Sequence, residues 1–377
     1  MAIRGIGVVS ALGEGREALS HALRSASCGV TRHERFAGAP FTSAFAGAAG
    51  ITPREDVARD VQLAREAAAR CIADAGVEHT ALRDVAVVLG VGAGGGGEPI
   101  ELRDPPVGAR LLGERPARVT DIVADELGFD GPRLSLMTAC SSSATALGVA
   151  LDLLRSGRAR WALAGGVEPL SRLTYGGFSA LRALDPAPCR PFDRTRAGLN
   201  LGEAAAMMLL ERADVLAPDD LALLGYGTSA DAHHMTAPHP EGRGAAAAMS
   251  AALRDAGLAP AQVDYVNAHG TATQRGDAAE AAALRTVFGD HPVVVSSTKG
   301  ATGHTLGAAG ALECSICAVA LREGFFPPTV GLESLDACAD GLDIVRGAAR
   351  EGAPRVALSN SFAFGGTNTS VVLGAWS

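Results

Sequence analysis

The chain has 377 residues, 47% of them hydrophobic and 20% charged, enough apolar material for two to three packed units. Its 33 Lys and Arg against 41 Asp and Glu leave a formal charge of −8, which argues against a nucleic-acid partner and against an anionic membrane surface. No run of about 18 apolar residues exists to span a bilayer. The 7 cysteines are too sparse for a disulfide scaffold, so a reducing cytoplasm is expected.

The opening MAIRGIGVVSALG reads as a strand entering a turn, not as a secretion signal. Apolar positions at helical spacing predict a helix over 53–76, stopped by Gly76. A buried-type strand (84–91) then runs into a glycine-rich loop, followed by a short helix over 120–127. Residues 133–157 read as strand, turn and long helix, and 160–170 and 204–212 as further strands. The stretch 213–222, with Pro and paired Asp, breaks the pattern and marks a seam. The rhythm then repeats. Strands are expected at 222–231, 263–267, 293–300 and 355–373 (two strands around a glycine turn), and helices at 244–258, 277–289 and 310–324. Such alternation implies α/β layering, and the similar order in both parts suggests an internal duplication. The expected division is 1–215 and 216–377.

Cys140, in LMTACSSS, stands between a strand and a helix. A helix N-terminus lowers a thiol pKa, which would favour thiolate, and strand–elbow–helix placement is how exposed nucleophiles are presented. A buried structural cysteine is an equal alternative on local sequence. His269 (NAHGTAT) and His304 (TKGATGHTLG) both follow predicted strands in glycine–threonine loops, where site residues collect. Lys299 is the only lysine in the chain, which suggests a site that wants an ammonium. His233, His234 and His239 look metal-like but lack a completing carboxylate or thiol at ligand spacing. GVGAGG (90–95) satisfies G-x-G-x-x-G, but no helix follows and prolines intervene, so a dinucleotide site is not expected. Cys314 and Cys317 form a C-x-x-C inside an apolar helix, which reads as core packing.

Taken together, TACSSS (138–143), RPFDRTRAGLNLGEAAAM (190–207), NAHGTAT (267–273), STKGATGHTLGAAG (297–310) and NSFAFGGTN (360–368) resemble the β-ketoacyl-acyl-carrier-protein synthases, in their Cys–His–His elongating branch. The resemblance runs over nearly the whole chain. It implies the thiolase fold, five layers αβαβα made of two similar halves, the first carrying the nucleophile and the second the histidines, lysine and gate. It also implies a homodimer, or a heterodimer with a related subunit.

By the same resemblance, Cys140 takes an acyl chain from a carrier-protein thioester, and the backbone N–H groups of Cys140 and Phe364 form the oxyanion hole. His269 and His304 donate to the malonyl thioester carbonyl. Lys299 pairs with Glu280 or Glu313 and holds His304. Thr271 and Thr273 contact the phosphopantetheine arm, and Phe364 with Gly365 and Gly366 forms a gate. Arg54, Arg59, Arg65, Arg194 and Arg196 are candidates for a carrier-protein patch. No cofactor or catalytic metal is implied, since the arm belongs to the carrier, although Asn267, Glu313, Ser359 and Asn360 can surround a structural cation in this family.

The sequence departs from the family at Ala363, where glycine is usual beside the gate, and at Ala204 and Ala206. The stretch from Glu98 to Asp130 is short, so the acyl tunnel is expected to differ, which leans towards a specialised pathway. Two other readings compete. A non-catalytic chain-length-determining partner would lack the nucleophilic Cys. A degradative thiolase using coenzyme A would carry a second Cys in the loop that here reads SFAFGGTN.

Overall fold

The computed structural model describes all residues except 55, 79–81, 93–116, 214, 218–219 and 376–377. In chain order the main elements of the first part are β1 (Ala2–Ser10), α1 (Gly15–Arg24), α2 (Arg59–Ala75), β2 (Val85–Val91), α3 (Arg118–Glu126), β3 (Arg133–Leu136), α4 (Ser142–Arg155), β4 (Trp161–Glu168), α5 (Arg172–Ala180) and β5 (Ala204–Glu211). The second part has β6 (Leu221–Ala230), α6 (Arg243–Ala256), β7 (Tyr265–Asn267), α7 (Gln274–Phe288), β8 (Val294–Ser296), α8 (Lys299–Thr302), α9 (Ala309–Glu323), β9 (Asp343–Ile344), β10 (Val356–Phe362) and β11 (Thr367–Ala375).

The large sheet has the order β9-β8-β7-β10-β11-β6-β1-β5-β4-β2-β3. Numbered within its own part, each set of five strands has the order 1-5-4-2-3, with β9 added at one end. The directions match as well. In both sets strand 1 is antiparallel to 5 and 5 to 4, while 4, 2 and 3 are parallel. The duplication suggested by the element order is therefore present in the topology. The two sets join through β1 and β6, antiparallel at Ala2 and Ala222.

Side-chain alternation explains the layers. Every residue of β2 is buried, the continuous apolar run of a strand covered on both faces. Val85, Val87, Leu89 and Val91 pack with α2 and α3, whereas Ala86 and Val88 face the cluster that contains α4 and α9. β5 repeats this, with Ala205, Met207 and Leu209 outward and Ala204, Ala206, Met208 and Leu210 inward. The alanines at 204 and 206 are fully buried. In the second part, α6 and α7 cover the opposite outer face. The order is thus helices, sheet, the central pair α4 and α9, sheet, helices: the five-layered thiolase-like arrangement. Among the described residues no helix is long and apolar enough to cross a membrane.

Two predicted elements are shorter than expected. The helix expected from residue 53 starts at Arg59, whose side chain turns inward to bond the carbonyls of Ala49 and Ile51. The strand expected over 293–300 ends at Ser296, because residues 299–302 coil into α8. Most of the glycine-rich run, from residue 93 on, lies outside the described residues. Gly90, within β2, has a structural reason instead of a phosphate-binding one. A Cβ there would lie 2.3 Å from the Ser143 nitrogen, so only glycine lets α4 approach β2 this closely.

Candidate active site

Cys140 lies in a single helical turn (Ala139–Ser141) between β3 and α4. Ala139 takes φ +52°, a left-handed conformation that costs an alanine about 1–2 kcal/mol. This strained elbow turns the chain so that the sulfur sits at the mouth of α4. Ser142 Oγ accepts from the Thr138 N–H and donates to the Ala139 carbonyl, and Ser143 Oγ accepts from the Ala311 N–H of α9. The backbone N–H groups of Phe364 and of Cys140 itself pull the thiol pKa down.

The expectation of a lowered thiol pKa is not met. Burial pushes the Cys140 thiol up to about 12, and this outweighs the pull of the Lys299 ammonium and the two N–H groups. At neutral pH the group is a thiol.

His269 follows β7 and His304 follows α8, and their rings meet edge-to-face with centroids 5.2 Å apart. Gly303, at φ +71°, lets the chain reverse after α8, so that the His304 N–H donates to the Asn200 carbonyl (2.7 Å). Burial holds both imidazoles well below their usual pKa; Lys299 adds to this for both, and His304 for His269. Both rings are therefore neutral at pH 7, and neither Nδ1 has a partner among the described residues.

Lys299 Nζ donates to Glu313 Oε1 within the core. The two candidate partners are thereby separated. Glu280 accepts instead from the backbone N–H of His269 (2.8 Å), the N–H of Gly270 (2.7 Å) and Asn360 Nδ2 (3.1 Å), fixing the loop that carries His269. Burial raises both carboxyls, Glu313 to about 7 despite the adjacent ammonium.

Cys140, His269, His304, Thr271, Thr273, Phe364, Gly365 and Gly366 line one cavity of about 460 Å³. Thr271 and Thr273 hydroxyls hydrogen-bond each other (3.0 Å), and Thr273 Oγ1 also accepts from the Gly276 N–H at the start of α7. Phe364 stacks on Phe178 with centroids 5.6 Å apart. Gly365 and Gly366 take φ +87° and +77°, whereas Ala363 is not left-handed, so glycine is not needed at 363.

The arginine patch does not form as expected. Arg59 is buried against Glu203, and Arg196 is buried between Asp277 and Asp336, because each charge satisfies a buried carboxylate. Arg54 and Arg65 are exposed but paired with Asp56 and Glu126, and only Arg194 stands exposed without a side-chain partner among the described residues. Several residues at the cavity were not anticipated. Asp231 donates its N–H to the Gly366 carbonyl and accepts from Asn368 Nδ2, and the Met235 carbonyl accepts from the Gly365 N–H, so residues 231–239 are tied to the Phe364–Gly366 turn. The run SADAHHMTAPHP drew notice only for its histidines. His233 and His239 do approach, at 5.1 Å between centroids, but no group of three metal-ligating side chains occurs among the described residues.

Of the residues named for a structural cation, Asn267 Oδ1, Glu313 Oε2 and Ser359 Oγ are buried oxygens without a partner among the described residues. Asn267 and Ser359 lie side by side in neighbouring strands. This donor chemistry fits a hard cation. Asn360 is committed to Glu280 and Ser370 instead.

A thiol on a strained elbow facing two neutral imidazoles, on a duplicated α/β scaffold, defines a thiol-dependent acyl-transfer centre. The chain belongs to the β-ketoacyl synthase family. The N-terminal domain model of that family matches residues 1–215 and the C-terminal domain model residues 222–333. It is 37% identical to 3-oxoacyl-[acyl-carrier-protein] synthase 2 of Coxiella burnetii, over 98% of this chain and 97% of that one. Among solved structures, it superposes on the ishigamide ketosynthase/chain length factor with a TM-score of 0.91 at 32% identity, covering 100% of this chain and 99% of that one. It also superposes on a type II polyketide ketosynthase, solved with its acyl-carrier protein and a bound hexaketide, with a TM-score of 0.92 at 26% identity, covering 99% and 98%. The chain is an acyltransferase of the ketoacyl synthase class.

Proposed function

We propose that the chain condenses a malonyl-carrier thioester with an acyl group held on Cys140, in a fatty acid or type II polyketide-like pathway. What supports this reading is the convergence of one thiol and two neutral imidazoles in one cavity. Cys140 Sγ attacks the acyl thioester, and its proton leaves on the departing carrier thiol by way of a neutral imidazole. The N–H groups of Cys140 and Phe364 hold the oxyanion.

Malonyl-carrier then places its thioester carbonyl between His269 and His304. Each neutral ring can offer one N–H. As the carboxylate departs as CO₂, the negative charge moves onto that oxygen, where two donors stabilise it. The enolate carbon attacks the acyl-Cys140 carbonyl, a 3-oxoacyl-carrier leaves, and the thiolate regains a proton from solvent. Lys299 acts through position and charge, keeping both rings neutral. A structural cation, where bound, would rest on Asn267, Glu313 and Ser359 and neutralise the carboxylate next to Lys299.

The first half, 1–215, supplies the nucleophile, and 216–377 supplies the histidines, lysine and gate. Leu134 and Met137, at or just beyond the edge strand β3, are 37% and 59% exposed, which suits a dimer with a second copy or a related subunit. We place the protein in the cytoplasm, and favour a specialised pathway on the departures noted above. The test is intact-mass measurement after incubation with an acyl-carrier thioester. An acyl adduct that disappears in Cys140→Ala is expected; no adduct on the wild-type chain would refute the reading and favour the chain-length-determining role.

A further inference from the structure

Two arginines at the rim of the cavity have no part in the chemistry above. Arg275 is the second residue of α7 and Arg182 follows α5; both are exposed and both line the cavity. Neither makes an ion pair or side-chain hydrogen bond among the described residues, although the chain is net acidic. Their neighbours Arg190 and Arg196 are committed to Asp185 and to Asp277 and Asp336.

The backbone beneath Arg275 is held firmly. Buried Arg196 donates to the carbonyls of Thr273 (3.5 Å) and Gln274 (3.1 Å), and Thr273 Oγ1 accepts from the Gly276 N–H (3.2 Å). The guanidinium of Arg275 therefore extends into solvent from a fixed point on the rim. Arg182 stands at φ +54°, so its backbone too is held in an unusual conformation beside the cavity. Two uncommitted guanidiniums on one rim are suited to an anion, and their forked donors match a phosphate.

The reaction itself says where an anion would lie. The thioester reaches Cys140, which is 6% exposed at the inner end of the cavity. A phosphopantetheine arm is uncharged along its length and carries its phosphate at the end remote from the thioester, and that end emerges at the rim.

We propose that Arg275, assisted by Arg182, is a specificity-determining clamp for the phosphate of the carrier-borne arm. This rests on the condensing reading above. The arginines take no part in bond making. They select a phosphorylated arm over an unphosphorylated one, and Arg275 belongs to the same loop-and-helix unit as Thr271 and Thr273.

The test compares acylation of Cys140 by acyl-4′-phosphopantetheine and acyl-pantetheine, thioesters that differ only in the phosphate, followed by intact mass. Wild-type protein is expected to prefer the phosphorylated thioester about tenfold. Arg275→Ala should cut that preference to about twofold, and Arg275→Lys should keep an intermediate value, with acyl-pantetheine rates unchanged in both. Acyl-carrier should lose rate in parallel with the phosphorylated thioester, with a weaker salt dependence in Arg275→Ala. An unchanged preference in Arg275→Ala, or equal slowing of both thioesters, would overturn the clamp. Acyl-coenzyme A reacting as fast as acyl-carrier would overturn the carrier as occupant. Failure of both thioesters to acylate wild-type Cys140 would instead sink the condensing reading itself.

Discussion

Replacing Lys299 by Met removes the buried ammonium that depresses both imidazoles and helps the thiol. The direction of each change is set by charge. Without the cation, protonation of His269 and His304 becomes easier, so their pKa values rise, while the Cys140 thiol moves higher still. In an effective dielectric near 20, removing a unit charge from within the site contributes on the order of 1–2 kcal/mol, or about 1 to 1.5 pH units. The acid limb of kcat/KM for condensation is therefore expected to move upward by about 1 to 1.5 units. Stability suffers separately, because removing one partner of a buried pair costs about 3–5 kcal/mol. Here part of that cost is offset, since Glu313, already raised to about 7, can take up a proton. The double variant Lys299→Met/Glu313→Gln removes the stranded carboxyl. It should recover stability in urea while keeping the displaced acid limb. The assay is the pH profile of 3-oxoacyl product formation, run beside urea unfolding of the three proteins. An acid limb that stays within about 0.2 units of wild type in Lys299→Met would refute the electrostatic role.

Further outcomes can be checked directly. Arg59→Ala strands buried Glu203 and should destabilise by about 3–5 kcal/mol in urea melts. Arg65→Ala, which breaks an exposed pair with Glu126, should cost about 1 kcal/mol or less. Gly90→Ala drives a Cβ against the α4 backbone and should lower soluble yield and thermal midpoint sharply, whereas Gly92, whose added Cβ would meet the Glu168 carboxylate, should respond through that side chain instead. Gly365→Ala meets open space but forces alanine to φ +87°, a strain of about 1–2 kcal/mol. Condensation should slow several-fold in single-turnover assays while Cys140 acylation stays near wild type; equal slowing of both steps would argue against a gate.

The order of strands and helices was readable because β2 and β5 are buried on both faces and so spell out unbroken apolar runs. The site loops were readable because each is a glycine- or serine-rich segment directly after a strand: Cys140 after β3, His269 after β7, His304 soon after β8. What escaped depends on side chains distant in sequence. Nothing local distinguishes Arg59, which finds Glu203, from Arg65, which finds Glu126 on the surface. The thiol pKa was misjudged because a helix terminus is visible in sequence and burial is not. The choice of Glu313 over Glu280 for Lys299 likewise depends on how α9 packs beneath α8. The segment 231–239 was read for its histidines, although its contacts with the Phe364–Gly366 turn run largely through backbone groups that no side-chain pattern encodes.

The single lysine of this chain is sealed inside the protein, so the described exterior carries no side-chain amine at all. The Lys and Arg cations on the described surface are all guanidiniums. Guanidinium does not titrate in any physiological range, so the described surface keeps the positive charge of its arginines in alkaline media where ammonium groups would fade. Enzymatic acylation of lysine or conjugation of small modifier proteins to lysine would find no side chain to modify on the folded, described surface. Amine-directed cross-linkers will accordingly under-report any assembly this subunit forms, and carboxylate- or arginine-directed reagents are the appropriate choice.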